Sequence, residues 1–170
     1  MNRIYVIPER CTGCKSCELA CAVQHSKEKT LLGAISQFPP PQKRLYVETA
    51  GGVKMPILCR HCDEAPCVNS CITGCLYKDD NGYVRRKKGR CIGCWSCIMS
   101  CPFGVISRDN QQHIAVKCDR CHKLDTPACV NACPTKALQL VEIDDLSAEV
   151  RNRVILTETA ALRATGTAGG

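Results

Sequence analysis

Sixteen of the seventeen cysteines in this 170-residue chain fall into four quartets. The first is Cys11, Cys14, Cys17 and Cys21. The second is Cys59, Cys62, Cys67 and Cys71, the third Cys91, Cys94, Cys97 and Cys101, and the fourth Cys118, Cys121, Cys129 and Cys133. Only Cys75 stands outside them. Quartets one and three are spaced C-x2-C-x2-C-x3-C, and the third continues into Pro102, the run that holds [4Fe–4S] clusters in bacterial proteins. The fourth quartet opens its middle gap to seven residues and ends in Pro134. In the second the gap is four residues and Ile72 follows the last cysteine.

The spacing has a physical reason. Three cysteines two residues apart wrap a tight loop around one corner of a cube, with backbone N–H groups aimed at the sulfurs. Gly13 and Gly93 lie between the first two cysteines, where a crowded turn calls for positive φ. The fourth cysteine lies about one helical turn further on and faces elsewhere. In two-cluster proteins of this kind it ligates the other cluster, so the quartets work in pairs. Zinc needs only four ligands, usually two CxxC pairs, and this pattern exceeds that need. An odd cysteine count fits a disulfide framework poorly. The expected cofactors are four [4Fe–4S] clusters. A cluster with four thiolates has no open site, so it exchanges electrons and binds no substrate. With no G-x-G-x-x-G and no P-loop either, no catalytic residue is expected.

The elements that must position these loops are short. Ile4–Pro8 and Arg44–Glu48 read as strands, and residues 45–50 and 53–58 flank Gly51-Gly52 as a hairpin. Phe38-Pro39-Pro40-Pro41 reads as a stiff connector. Tyr83–Lys87 and His113–Lys117 each lead into a quartet as a strand would, and Ala137–Ile143 alternates apolar and polar residues. Helices are expected near the fourth cysteines, at Glu18–Gln24 and Val130–Cys133. The expected class is α+β and loop-rich, with a C-terminal helix capped at Ser147 and a tail, residues 156–170, of disordered composition.

With two Phe, one Trp and four Tyr the apolar core is thin, and metal ligation is the expected source of stability. The formal charge of +7 counts cysteines as neutral. Four thiolate-ligated clusters would contribute roughly −8, so the basic residues read as counter-charge and no nucleic acid is expected. The N-terminal residues carry no apolar signal region, no stretch would span a membrane, and a reducing cytoplasm is the expected location. Cys75 reads as a small buried residue and not a ligand. Trp95 is expected to pack against a cluster, His61 and His122 not to ligate, and His25 and His113 to lie on the surface or in loops. Lys15, Arg60 and Arg120, beside ligands, are expected to raise cluster potentials.

The quartets, together with Cys59-Arg-His-Cys-Asp-Glu-Ala-Pro-Cys67, Cys91-Ile-Gly-Cys-Trp-Ser-Cys97 and Lys117-Cys-Asp-Arg-Cys121, resemble the four-cluster polyferredoxin subunits of multi-subunit oxidoreductases. Dimethyl sulfoxide reductase, formate dehydrogenase and formate hydrogenlyase have subunits of this type. The resemblance spans roughly residues 3–142. Pro8-Glu-Arg-Cys-Thr-Gly-Cys and Ala22-Val-Gln-His-Ser-Lys look closest to the electron-transfer subunits of tungsten aldehyde oxidoreductases and of nickel carbon monoxide dehydrogenase. Ile72 and Cys75 depart from the pattern, where many relatives have proline and alanine. The resemblance implies two ferredoxin-like halves with nested pairing. Cys11, Cys14 and Cys17 would join Cys133, and Cys118, Cys121 and Cys129 would join Cys21, in a half made of 1–37 and 113–143. Cys59, Cys62 and Cys67 would join Cys101, and Cys91, Cys94 and Cys97 would join Cys71, in a half made of 38–112. Residues 144–170 would be a docking or assembly segment. The implied function is a non-catalytic electron-transfer subunit. It would work between a catalytic oxidoreductase subunit, of the tungsten or carbon monoxide dehydrogenase type, and a flavin NAD(P)H reductase or a hydrogenase. The alternatives are a diffusible polyferredoxin and a self-assembling conducting filament.

Overall fold

The structure, a computed structural model, describes residues 2–164. Its strands are β1 (Asn2–Val6), β2 (Leu45–Ala50), β3 (Val53–Leu58), β4 (Leu76–Lys78), β5 (Val84–Arg86), β6 (Ser107–Asp109), β7 (Ile114–Val116) and β8 (Leu138–Glu142). Its helices are α1 (Ser16–Gln24), α2 (Leu31–Ser36), α3 (Pro66–Asn69), α4 (Ser96–Met99), α5 (Ala128–Asn131) and α6 (Ile143–Ala164). The chain divides into two compact units. Residues 4–140 hold every cysteine, and residues 1–3 with 141–170 hold the whole of α6.

Every sheet has two strands: β1 pairs with β8, β2 with β3, β4 with β5, and β6 with β7. The β2–β3 register ends at Ala50 opposite Val53. Gly51 and Gly52 close that turn with φ of 55° and 79°, the left-handed pair a two-residue hairpin needs. Single-turn 3₁₀ segments, Pro8–Arg10 and Lys88–Arg90, deliver the chain into Cys11 and Cys91. The third cysteine of each quartet sits in the first turn of a helix, and the fourth follows it by four residues, about one turn on. Only α1 is long enough to contain both, with Cys17 and Cys21 on its buried face.

Three expectations are corrected. The helix expected at Val130–Cys133 is α5, Ala128–Asn131, and Cys133 lies past its end with its N–H on the Val130 carbonyl at 3.2 Å. Ser147 is not a cap: α6 begins at Ile143, where Asp144 and Asp145 complement the helix dipole. Ser147 Oγ instead reaches back to the Ile143 carbonyl at 3.5 Å. Residues 156–164, expected to be disordered, continue that helix, with Thr159 Oγ1 donating to the Ile155 carbonyl at 2.6 Å. Residues 165–170 of the expected tail lie outside the described residues. The sequence reading also passed over α2, which Thr30 caps by accepting the Gly33 N–H at 3.1 Å.

Two hydrophobic cores form. The first joins Cys17, Cys21, Cys129 and Cys133 to Leu45, Val47, Leu58 and Leu138, so the β2–β3 hairpin packs beside quartets one and four. The second joins Cys67 and Cys97 to Leu76, Val84, Ile106 and Ala115. Among the described residues no helix is long and apolar enough to cross a membrane. Leu138 is 1% exposed and Leu32 is 78% exposed. Leu138→Ala is therefore expected to destabilise the cluster-loaded protein by about 2–5 kcal/mol, against less than ~0.5 kcal/mol for Leu32→Ala, read from urea midpoints under argon.

Candidate iron–sulfur sites

Each cysteine loop has a left-handed residue at one shared position. It lies between the first two cysteines, and its φ is 75° at Gly13, 49° at His61, 69° at Gly93 and 65° at Arg120. Glycine takes this conformation without steric cost; a side chain there costs roughly 1–2 kcal/mol. His61 and Arg120 are both buried, and packing offsets that strain. His61 stands edge-on to Tyr83 with ring centroids 5.5 Å apart, and the Arg120 guanidinium lies 5.2 Å from the same ring. The sequence reading identified the two glycines and missed that a histidine and an arginine fill the same backbone slot. In quartets one and three the residue after the second cysteine is left-handed as well, Lys15 at 60° and Trp95 at 63°.

Three small cavities are lined by cysteines, four of them quartet members in each case. One is lined by Cys11, Cys14, Cys17 and Cys133. A second is lined by Cys59, Cys62, Cys67 and Cys101. The third is lined by Cys91, Cys94, Cys97 and Cys71, and Cys75 also faces it. The remaining four cysteines, Cys21, Cys118, Cys121 and Cys129, are close enough that the charge of Cys118 or Cys121 raises the Cys21 thiol, and that of all three others raises Cys129.

The donor set fits a metal cluster on chemical grounds. Burial, then neighbouring sulfur charge, pushes the thiols up: Cys17 and Cys97 to about 11, Cys21 to about 12, and Cys129 further still. Such crowded thiols become thiolates only when a cation compensates them. Backbone donors already face the sulfurs. Arg44 N–H lies 3.3 Å from Cys21 Sγ, Leu76 N–H 3.3 Å from Cys71 Sγ, Ala137 N–H 3.2 Å from Cys133 Sγ and Ala115 N–H 3.4 Å from Cys91 Sγ. Cys14 and Cys94 are exposed, and a hydrogen bond from Ser16 or Ser96 lowers each thiol. Cys75 is buried and donates to the Lys87 carbonyl at 3.2 Å.

The structure places the other singled-out residues as follows. Trp95 lines the Cys91 cavity, with the Arg108 guanidinium 5.6 Å from its ring. Arg60 is exposed over the Phe103 ring at 5.0 Å, Lys15 is exposed, and His113 and His122 are exposed. His25 lies in the turn that ends α1, with its ring largely covered. Its Nδ1 donates to the Cys21 carbonyl at 2.7 Å and its Nε2 lies 3.1 Å from Asp119 Oδ1. Asp119 also takes Arg44 Nη1 at 2.8 Å and the Cys121 N–H at 3.1 Å. Burial raises that carboxyl, but the His25 hydrogen bond and the Arg44 charge outweigh it and hold it well below the usual carboxylate range. With the guanidinium on this carboxylate, the His25–Asp119–Cys121 group is an ion-pair network tying α1 to quartet four, not a further metal site. A separate groove, lined by Lys15, Leu19, Pro40, Lys43 and Arg108, holds no cysteine.

The sequence matches the 4Fe-4S dicluster domain over residues 52–143 and a 4Fe-4S binding domain over residues 8–24. The chain belongs to the 4Fe-4S dicluster family. It is 41% identical to an iron–sulfur protein of Rhodospirillum rubrum over 83% of this chain and 82% of that one. It is 35% identical to the electron transport protein HydN of Escherichia coli, covering 92% and 99%. It is 37% identical to the thiosulfate reductase electron transfer subunit PhsB of Salmonella typhi, covering 81% and 73%. Among solved structures, a chain of the BamBC complex of benzoyl coenzyme A reductase superposes with a TM-score of 0.47 at 20% identity, covering 95% of this chain and 97% of that one. As a member of this family the protein binds [4Fe–4S] clusters and transfers electrons.

The two glycine slots differ in what a side chain would meet. A Cβ on Gly93 falls 2.6 Å from the His113 carbonyl oxygen, which is backbone. On Gly13 it falls 2.6 Å from Lys54 Cδ, which can swing away. Gly93→Ala is therefore expected to lose one cluster's share of iron and its reduced EPR signal. Gly13→Ala is expected to keep full iron and lose only about 1 kcal/mol of stability.

Proposed function

We propose that the protein relays single electrons through four [4Fe–4S] clusters in nested pairing, as the electron-transfer subunit of a larger oxidoreductase. The observation that carries this reading is the mixing of quartets around each cavity: three cysteines of one quartet meet the fourth of another. Cys11, Cys14, Cys17 and Cys133 would hold one cluster, and Cys118, Cys121, Cys129 and Cys21 the next. Cys59, Cys62, Cys67 and Cys101 would hold the third, and Cys91, Cys94, Cys97 and Cys71 the last. Cys75 is left out, since the site it faces has four ligands without it. The halves would then be 1–37 with 113–143 and 38–112, except that the 45–58 hairpin packs on the first.

The bound clusters supply one-electron exchange with no open coordination site. The chain's residues do the rest. They hold the sulfurs, donate backbone N–H groups to them and shield the inner sites from water. The sites form a row: Cys17 acts on Cys129, Cys59 on Cys118, and Cys67 on Cys97. The two end sites carry the exposed Cys14 and Cys94, where electrons would enter and leave. One end would meet a catalytic subunit of the tungsten aldehyde oxidoreductase or carbon monoxide dehydrogenase type. The other would meet a flavin NAD(P)H reductase or a hydrogenase. A reducing compartment, the cytoplasm, suits seventeen free cysteines.

A second reading rests on α6. Val154, Ile155 and Leu156 are 54%, 62% and 69% exposed, an apolar run that a partner or a second copy could cover. Anaerobic, fully reconstituted protein is expected to carry four irons for each of the four sites, with Mössbauer parameters of [4Fe–4S] clusters and no zinc; a load short by a cluster or more sinks the four-cluster reading. On gel filtration of native extract the protein is expected to co-elute with a catalytic subunit, whereas elution at its own 18.6 kDa would favour a diffusible carrier. Deleting residues 144–170 is expected to abolish association and spare the iron content, which separates docking from cluster assembly.

A further inference from the structure

Lys117 is 3% exposed, yet it carries an ammonium. Its Nζ donates to the Val84 carbonyl at 2.7 Å and to the Cys118 carbonyl at 2.6 Å. Among the described residues it pairs with no carboxylate. A buried cation held only by carbonyl dipoles is costly unless a negative charge lies close by. Cysteine sulfurs of quartets two and four lie within its electrostatic reach. The Lys117 ammonium favours the thiolate forms of Cys59 and Cys67 in quartet two and of Cys118 in quartet four.

Its partners make it a bridge between two cysteine loops. Val84, whose carbonyl it holds, gives its own N–H to His61 Nδ1 at 3.1 Å. His61 is the left-handed residue between Cys59 and Cys62. The string His61–Val84–Lys117–Cys118 therefore runs from the loop of quartet two to the loop of quartet four. Those loops serve the two inner sites of the proposed row.

We infer that Lys117 is a positioning residue that sets the reduction potentials of the two inner clusters together. The cation is fixed, dry and shared between the two sites, so it stabilises an added electron at either one. Exposed Lys15 and Arg60, screened by water, do this far less effectively. The two inner potentials rise together, which keeps the electron's step between them close to level.

This rests on the four-cluster reading, and the test keeps the two apart. Iron content and Mössbauer spectra of the wild-type protein decide whether the clusters are there. EPR-monitored redox titration of Lys117→Gln, Lys117→Met and Lys117→Arg decides the role of the lysine. Cys14→Ser and Cys94→Ser variants mark which potentials belong to the end clusters. Lys117→Gln keeps donors for both carbonyls and removes the charge. It is expected to hold full iron and to lower two of the four potentials, each by at least a tenfold change in the reduction equilibrium, about 59 mV for one electron. The two marked end potentials are expected to stay put, Lys117→Met to follow the glutamine variant where it folds, and Lys117→Arg to keep wild-type values. Unchanged potentials in an iron-replete Lys117→Gln protein would overturn the inference. So would an equal shift of all four, or loss of inner iron from that variant, which would leave the lysine a folding role alone.

Discussion

Everything in this fold answers to the repulsion among buried sulfurs. Sixteen thiols are drawn into tight groups, and many of them are buried. Burial and neighbouring sulfur charge push the thiols of Cys17, Cys21, Cys97 and Cys129 up, Cys21 to about 12. Metal reverses the balance, since a cation turns crowded thiolates from a liability into ligands. That explains how a chain with two Phe and one Trp sustains two cores. In both cores cysteines stand beside leucine and valine, so the sites and the hydrophobic interior are one structure.

The second requirement is backbone geometry, because N–H groups must turn toward sulfur within a few residues. The chain meets it with a left-handed residue between the first two cysteines of every loop. Where the outer face is open or the loop is crossed by another strand, glycine fills the slot, at Gly13 and Gly93. Where the slot faces the interior, His61 and Arg120 accept the strain and pack around Tyr83. Loops one and three thus share a glycine slot followed by a second left-handed residue, Lys15 or Trp95, whereas loop four alone makes its second cysteine, Cys121, left-handed.

The cysteine quartets, the glycine slots, the β2–β3 hairpin and the strands at β5, β7 and β8 were legible in the sequence because each depends on neighbours a few residues away. A two-residue Gly-Gly turn between alternating segments specifies its own hairpin. The start of α6 and its extension through residues 156–164 were misread. The Thr- and Ala-rich composition was weighed as disorder, whereas helix propensity across the whole segment favours continuation. His25 lies in the turn after α1, as a surface or loop reading allows, but nothing local reveals that Asp119, far along the chain, comes to meet it.

Alone, the sequence determined the cofactor class, the number of cysteine groups and the short-range loop chemistry, since ligand spacing is written in consecutive residues. Only the tertiary structure decided which sulfurs face a common cavity, where Asp119 and Arg44 anchor α1, and that Lys117 is buried between quartets two and four. Those are long-range electrostatic facts. A buried charge is set by what the fold brings around it, and no window of neighbouring residues contains that information.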